Sequence, residues 1–324
     1  MKAMILAAGQ GTRFYPHTKK IPKPALPFLG VPMGYFSLLA LKDAGVNSVV
    51  VNTFHLPSEV TKLYKMQTLL PTEFSNETDL LLGSGGGLKK AENFFKDQEY
   101  LFLLNSDEII ISTEKKIFLK MLNQHKLNKP LSTLLVTEHP LAGTKFGGVW
   151  TDEKNQVLGF GKEAPVGAKN CYHFLGCQVL NQKIFSYLPD HVESNILYDG
   201  LVNAMKDKQK VEILNIDCDW HETGNLADYL IATQSAIQKL QSMTDDIAEV
   251  NRTLNTFFPD FEIVKTEKSV LIKSKSSKIE NCVTKGFVIV GKNTQLKNCV
   301  LENIIIDQNL SFEDEDFIND LIID

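Results

Sequence analysis

Short apolar runs alternate with amphipathic stretches through the first 137 residues, and this alternation constrains the fold more than any other feature of the chain. Strands are predicted over 4–7, 47–52, 100–104 and 132–137, and helices over 33–44, 58–66 and 114–127. Strands that alternate with helices favour a mainly parallel sheet with helices on both faces. Such sheets bind ligands at the carboxyl ends of their strands.

The middle of the chain changes character. Residues 147–188 divide into shorter apolar runs separated by glycines and polar turns, which predicts a β-rich insert over the ligand pocket. A further helix is expected over 225–240, because its apolar residues recur with helical spacing.

The C-terminal region shows short apolar pulses from about residue 263 onward. The step Val290-Gly291, with Leu296 six residues after Val290, resembles the hexapeptide repeats of left-handed β-helices. Two or three coils fit, and the alternative is an ordinary hairpin cap. The tail, 311–324, carries six acidic residues and no basic ones, together with apolar residues, and is expected to dock as an amphipathic helix.

The fold class predicted is therefore α/β: a Rossmann-like, mainly parallel sheet with helices on both faces, plus a short C-terminal left-handed β-helix-like region. The predicted divisions are a catalytic domain over 1–240, a helical connector over 241–262, and a β-helix-like region with its acidic tail over 263–324.

The first strand runs directly into a glycine-rich turn that carries Arg13, and a proline-stiffened loop carries Lys23. Glycines let backbone N–H groups approach anionic oxygens, while arginine and lysine add charge for phosphate. The turn lacks the Gly-Lys-Ser/Thr ending of a Walker A loop. Phe14 occupies the place of the third glycine in a dinucleotide fingerprint, which argues against an NAD-binding module.

The pattern Gly9-x-Gly11-Thr12-Arg13-x-x-Pro16-x-Thr18-x-x-x-Pro22-Lys23-Pro24 resembles the signature of the sugar-1-phosphate nucleotidylyltransferases, including mannose-1-phosphate guanylyltransferases and N-acetylmuramate-1-phosphate uridylyltransferases. The resemblance covers about residues 1–235. It implies that Arg13 and Lys23 are catalytic. The nucleotide-binding residues it implies are Leu6, Ala8, Gly9, Gly11, Thr12, Arg13, Lys23, Gly85, Gly86 and Gly87.

Two carboxylates are candidate magnesium ligands. Asp107 follows a buried strand, and Mg²⁺ typically takes one or two carboxylates plus phosphate and water. The family has Gly-Asp here, whereas Ser106 replaces the glycine in this chain. The second candidate, Glu222, stands in a segment similar to the family's Trp-x-Asp-x-Gly-Thr, with Asp217 and Asp219 as nearby reserves.

The sugar site implied by the resemblance departs further from the family. The family often shows Glu-Lys-Pro after a Phe-x step, whereas here the charged pair is reversed and one residue is inserted. A solvated hairpin charge pair is the alternative interpretation. The candidate sugar-binding residues are Gly148, Lys162, Glu163 and Gly176.

Composition limits the partners. A net charge of −5 provides no broad cationic surface for nucleic acid, and no apolar run is long enough to span a bilayer. The five cysteines are scattered, so free thiols in a reducing cytoplasm are expected. The C-terminal region is the expected surface for homo-oligomer formation.

The predicted function is Mg²⁺-dependent synthesis of an NDP-sugar and pyrophosphate from an NTP and a sugar 1-phosphate. The substrate prediction leans to GTP with mannose or heptose 1-phosphate, or UTP with N-acetylmuramate 1-phosphate. The alternative is a non-catalytic regulatory paralogue that binds a sugar nucleotide.

Overall fold

The computed structural model describes residues 1–242 and 244–323, and these residues form two compact units. Unit 1 comprises Met1–Gln10, Ser37–Glu108 and Glu114–Cys218. Unit 2 comprises Gly11–Phe36, Ile109–Thr113 and the chain from Asp219 onward. The glycine-rich turn therefore passes from one unit to the other at Gln10–Gly11.

The strands are β1 (Lys2–Leu6), β2 (Pro27–Phe28), β3 (Val31–Pro32), β4 (Ser48–Thr53), β5 (Thr72–Asn76), β6 (Tyr100–Asn105), β7 (Ser132–Thr137), β8 (Gly148–Thr151), β9 (Val157–Gly161), β10 (Asn170–Asn181), β11 (Val211–Asn215), β12 (Phe261–Lys265), β13 (Ser269–Ser274), β14 (Lys278–Glu280), β15 (Val283–Val290), β16 (Gln295–Lys297), β17 (Val300–Ile306), β18 (Ser311–Glu313), β19 (Asp316–Ile318) and β20 (Leu321–Ile322). The α-helices are α1 (Phe36–Asp43), α2 (Pro57–Met66), α3 (Gly83–Lys90), α4 (Ile117–Asn128), α5 (Val202–Lys206), α6 (Leu226–Ser242) and α7 (Ala248–Phe257).

The main sheet of unit 1 has the order β11-β7-β10-β6-β1-β4-β5. Strand β1 pairs in parallel with β4 and β6, and β10 is antiparallel to both of its neighbours, β6 and β7. The central strands are continuously apolar because they are buried on both faces, as parallel strands usually are. The predicted α/β fold with a mainly parallel sheet is confirmed.

The predicted β-rich insert, 147–188, contains strands β8, β9 and β10. Strand β8 pairs antiparallel with β9 and with the first residues of β10, while the later residues of β10 join the main sheet. The pairing of β10 with β7 is irregular between Phe174 and Gln178. Gly176 lies within this break with a φ of +62°, a left-handed conformation that glycine adopts without steric cost.

His125 lies in the core of unit 1, and its protonation opposes folding. His125 on α4 is fully buried, its Nδ1 lies 2.9 Å from the Thr133 hydroxyl, and burial lowers its pKa to about 4. The unfolded chain therefore takes up a proton near pH 6.5 that the folded chain excludes until about pH 4.

We predict that the free energy of unfolding is largest above pH 6.5 and falls as pH drops towards 4, with His125 contributing up to about 3 kcal/mol of that loss. Urea unfolding of His125→Gln and wild type at pH 7 and pH 5 measures this contribution. A smaller pH-dependent loss in the variant is the expected result, whereas equal losses would contradict it.

Unit 2 contains a parallel β-solenoid. Strands β13, β15 and β17 pair in parallel, as do β14, β16 and β18. Ile272 aligns with Ile289, Ile289 with Ile305, and Ile305 with Leu321, so successive coils are 17, 16 and 16 residues long. Each coil buries its apolar residues against the next, which is why the pulses repeat. The hairpin-cap alternative is wrong.

Asn and Asp side chains at the corners of the solenoid hydrogen-bond from one coil to the next. Asn298 donates from Nδ2 to Oδ1 of Asp314 at 2.8 Å, and Asn303 donates likewise to Asn319 at 2.9 Å. These four residues have positive φ, a conformation that Asn and Asp tolerate better than other side chains.

The expected amphipathic helix in the tail is wrong. The tail instead forms β18, β19 and β20, which continue the two strand ladders of the solenoid. Leu321 is buried, and Phe312, Phe317 and Ile322 pack against the solenoid core, whereas Ile318 points away from it and is exposed. The acidic residues 313–316 are exposed as well. Asp324 lies outside the described residues.

The N-terminal segment of unit 2 packs on its helices. Phe14 is almost fully buried and meets the Tyr229 ring edge-on at 5.3 Å between centroids. Gly30 lies so close to Phe258 that a Cβ atom would stand 2.5 Å from the ring. Within the described part of the chain, none of the helices combines the length and apolarity that crossing a bilayer requires.

Candidate active site

The turn after β1 is shaped by Gly11. Its φ of +61° is left-handed, and its carbonyl oxygen accepts a 2.7 Å hydrogen bond from the buried Thr18 hydroxyl. A Cβ at this position would lie 3.0 Å from the Thr18 methyl group, so a side chain would be both strained and crowded. The 3₁₀ turn Thr12–Phe14 follows and carries Arg13.

Arg13 forms an ion pair inside unit 2. Its Nη1 lies 3.2 Å from Oε1 of Glu222, and the two side chains are 67% and 23% exposed. The guanidinium is thus open to solvent and available to an anion. Sequence analysis predicted Arg13 as a catalytic residue and Glu222 as a magnesium ligand, but it did not predict their contact across 209 positions.

Lys23 is held by its flanking prolines. Pro22 is extended, Lys23 begins the 3₁₀ turn Lys23–Ala25, and both Pro22 and Pro24 are buried while Lys23 is half-buried. Proline fixes its own φ and restricts the residue before it. The backbone beneath the ammonium group is therefore rigid.

The glycine cluster of unit 1 forms the first turns of α3, and Gly85, Gly86 and Gly87 are all buried. The close approach that they permit is made by protein backbone: the Gly85 N–H donates to the Ser194 carbonyl oxygen at 2.8 Å. A Cβ on Gly86 would lie 2.4 Å from the Val192 carbonyl oxygen. These residues are therefore helical and tightly packed.

We predict that Gly86→Ala lowers the free energy of unfolding by about 2 kcal/mol or more, because the group that the methyl meets is backbone and cannot rotate away. Urea denaturation measures the loss. Gly9→Ala is the matched control, since nothing lies within 4 Å of its Cβ position. Equal stability of the two variants would refute the packing argument.

A buried polar network joins three elements of unit 1. Glu77 is 4% exposed, and its carboxylate accepts hydrogen bonds of 2.7 Å from the Asn52 amide and from the Leu82 N–H. Asn52 in turn accepts from the Ala7 N–H at 2.7 Å. The network fixes the start of the glycine-rich turn relative to α3. Asn52 was missed by sequence reasoning; its only signal is a polar residue near the end of a buried strand.

Asp107 follows β6 and is half-buried. Beside it, the Asn105 amide donates to Oε1 of Glu108 at 3.2 Å. This pair occupies the space where Gly176 would carry a side chain, with both polar atoms 2.6 Å from the Cβ position. The structure thus brings the predicted metal residue and one predicted sugar residue to the same part of unit 1.

The other sugar candidates differ in their surroundings. Gly148 is buried on β8, and a Cβ there would lie 2.2 Å from the Cys171 sulfur. Lys162 and Glu163 are exposed just after β9 and form no ion pair with the described residues. They lie in the segment that leads from β9 to β10, and their side chains face solvent.

Asp107 in unit 1 and Glu222 in unit 2 are the two candidate magnesium ligands. No group of three or more His, Cys, Asp or Glu side chains that could cage a metal occurs among residues 1–242 and 244–323. Asp107 and Glu222 each offer oxygen ligands, and Mg²⁺ in phosphate chemistry is commonly held by one or two carboxylates plus substrate phosphates. Asp219 is engaged elsewhere, with the Ser235 hydroxyl at 3.1 Å and the Lys239 ammonium at 3.5 Å.

The family model described as nucleotidyl transferase matches residues 2–239. A UTP–glucose-1-phosphate uridylyltransferase of Synechocystis sp. is 27% identical over 74% of this chain and 64% of its own length. A mannose-1-phosphate guanyltransferase of Schizosaccharomyces pombe is 30% identical over 76% of this chain and 67% of its length. The chain thus spans about two thirds of these relatives.

Solved structures show the same fold. A UDP-glucose pyrophosphorylase complexed with UDP-glucose superposes with a TM-score of 0.62 at 18% identity, covering 74% of this chain and 98% of that one. A putative glucose-1-phosphate thymidylyltransferase from Bacillus anthracis gives a TM-score of 0.59 at 22% identity, covering 72% and 94%.

Proposed function

This chain belongs to the nucleotidyl transferase family, and we propose that it makes an NDP-sugar and pyrophosphate from an NTP and a sugar 1-phosphate. The observation that carries the proposal is the pair of cations in unit 2. Arg13 and Lys23 stand on short, rigid 3₁₀ turns, and the Arg13 guanidinium is open to solvent. Two such cations on one pre-organised segment suit a triphosphate.

In the proposed reaction, an oxygen of the sugar 1-phosphate attacks the α-phosphorus of the NTP. A new P–O bond forms as the bond from the α-phosphorus to the bridging oxygen breaks, and pyrophosphate leaves with that oxygen and both electrons. The nucleophile is already an anion, so no general base is needed. Catalysis then consists of positioning and charge stabilisation.

The cations have separate roles. Lys23 stabilises the charge that develops on the α-phosphoryl oxygens, and Arg13 holds the departing pyrophosphate by its planar fork. Asp107 and Glu222 would hold Mg²⁺, which when bound neutralises phosphate charge. The remaining nucleotide contacts are assigned to Leu6, Ala8, Gly9, Gly11, Thr12 and the backbone of Gly85, Gly86 and Gly87.

For the sugar 1-phosphate we propose contacts from Gly148, Lys162, Glu163 and Gly176, all in unit 1. The exposed Lys162 would bind phosphate, and Glu163 would bind sugar hydroxyls. GTP with mannose or heptose 1-phosphate is the first substrate pair proposed, and UTP with N-acetylmuramate 1-phosphate is the second. Two relatives are named as a UTP–glucose-1-phosphate uridylyltransferase and a glucose-1-phosphate adenylyltransferase, so the test also includes UTP and ATP with glucose 1-phosphate.

A substrate panel tests the function. The full chain is incubated with Mg²⁺, each of the four NTPs and each of these sugar 1-phosphates, and pyrophosphate release is followed with a coupled assay. Release that needs both substrates is expected for one pair. Nucleotide binding without release from any pair would contradict the enzyme and favour the regulatory paralogue.

We also propose that residues 1–240 are the catalytic domain, with 241–262 as a connector and 263–324 as a region for homo-oligomer formation. Light scattering after gel filtration of the full chain, compared with a chain ending at residue 262, tests that role. A cytoplasmic site of action is proposed from the cysteines, all five of which are free thiols.

A further inference from the structure

Gly224 lies beside the Arg13–Glu222 ion pair, and we propose that Glu222 and Gly224 form a seat that fixes the Arg13 guanidinium for pyrophosphate. The inference rests on the proposed function, since it takes Arg13 as a pyrophosphate ligand. It assigns Gly224 as a positioning residue, and it gives Glu222 a role that does not depend on a metal ion.

The seat is defined by the space over Gly224. A Cβ at this position would lie 2.3 Å from Oε1 of Glu222, 2.5 Å from Nη1 of Arg13 and 2.6 Å from its Cζ. These distances are well inside van der Waals contact. Any residue other than glycine therefore displaces the ion pair from the place where it now lies.

The glycine is needed for space alone. Gly224 is absent from the positions with left-handed φ, so alanine can adopt its backbone conformation without strain. The atoms that a methyl group would meet are the ends of two flexible side chains, which can rotate away. Alanine at 224 should therefore leave the fold stable and move Arg13, which separates positioning from stability.

The seat stands on a rigid segment. Asp219, three residues before Glu222, is tied to α6 by the Ser235 hydroxyl at 3.1 Å and the Lys239 ammonium at 3.5 Å. After the seat, the Asn225 side chain accepts from the Asp228 N–H at 3.0 Å at the start of α6. Glu222 is thus presented from a backbone fixed on both sides, unlike most surface ion pairs, which contribute little.

Arg13 is fixed from its other side as well. Its neighbour Phe14 is 1% exposed and packs edge-on against both Tyr229 and His17. The backbone of Arg13 is therefore anchored by a buried ring, and only the long side chain remains to be placed. The contact with Glu222 at 3.2 Å supplies that placement.

The test is direct binding of inorganic pyrophosphate to the full chain, measured by calorimetry in EDTA and again with Mg²⁺. We expect Gly224→Ala to weaken binding about tenfold in EDTA, because the Arg13 guanidinium loses its present position. Arg13→Ala should weaken it at least as much, and the double variant should bind no more weakly than Arg13→Ala. The melting temperature of Gly224→Ala should stay near wild type.

Controls separate the seat from net charge. Glu222→Gln should weaken binding in EDTA, whereas Asp245→Asn, an equal charge change at an exposed position of unit 2, should not. The proposal is contradicted if Gly224→Ala binds pyrophosphate with wild-type affinity. It is also contradicted if the double variant binds pyrophosphate more weakly than Arg13→Ala alone. No pyrophosphate binding by wild type, with or without Mg²⁺, also overturns it.

The seat and the proposed function fail differently. If Gly224→Ala weakens pyrophosphate binding but the wild-type chain makes no NDP-sugar, the positioning role of Gly224 is supported and the proposed enzymatic function is contradicted. If the wild-type chain makes an NDP-sugar and Gly224→Ala has unchanged turnover and pyrophosphate affinity, the positioning role is contradicted and the proposed enzymatic function is supported.

Discussion

Replacing Lys23 with alanine is expected to lower turnover by more than about tenfold, with the fold intact, because loss of one pre-organised charge donor at a transition state has effects of this order or larger. The ammonium group stands on a backbone fixed by Pro22 and Pro24, so the truncation removes charge and leaves the segment in place. Turnover is measured at saturating NTP and sugar 1-phosphate, and folding by circular dichroism and melting temperature.

Lys268→Ala is the matched control for Lys23→Ala. Lys268 is an exposed lysine in unit 2, so its loss changes the net charge equally without touching the 3₁₀ turns. Near-normal turnover in Lys23→Ala would remove Lys23 from the chemistry. An equal loss in both variants would show that overall charge, and not the position of Lys23, is what matters.

Replacing Asp107 with asparagine is expected to reduce turnover about 100-fold and to raise the Mg²⁺ concentration needed for half-maximal activity, since an amide is a far weaker ligand for a hard cation than a carboxylate. Asp107 is half-buried at the end of β6, where the adjoining strand is fully paired, so the substitution should not disturb the sheet. Activity as a function of Mg²⁺ concentration gives both quantities.

Asp97→Asn provides the comparison for Asp107→Asn. Asp97 is an exposed carboxylate of the same unit, 2.9 Å from the Lys2 ammonium group, and has no role in the proposed reaction. It should keep the magnesium dependence of wild type. Asp107→Asn with turnover within twofold of wild type would exclude Asp107 as a metal ligand.

The sheet and the solenoid could be predicted because each follows from a local period. Apolar runs such as Tyr100–Asn105 are long enough to identify a buried strand without knowing its neighbours. Edge strand β5 was missed, since Thr72–Asn76 contains one apolar residue and is largely half-exposed. The tail was assigned the wrong element because its apolar residues fit both a helix face and inward positions of a coil.

The contacts of the candidate site could not be predicted, because they join residues far apart in sequence. Glu77 and Asn52 are 25 positions apart and meet only because β4, which holds Asn52, pairs with β5, which ends one residue before Glu77. Arg13 and Glu222 meet across 209 positions. Motif spacing predicted charged residues for the proposed chemistry, while their partners depend on the tertiary fold.

The central claim is that a phosphate oxygen of the sugar 1-phosphate attacks the α-phosphorus of the NTP. The most direct test uses sugar 1-phosphate labelled with ¹⁸O at its non-bridging phosphate oxygens, with isotope shifts read by ³¹P nuclear magnetic resonance. The account predicts ¹⁸O in the NDP-sugar, including the oxygen between its two phosphorus atoms, and none in pyrophosphate. Unlabelled nucleoside monophosphate with pyrophosphate would show attack by water and contradict it.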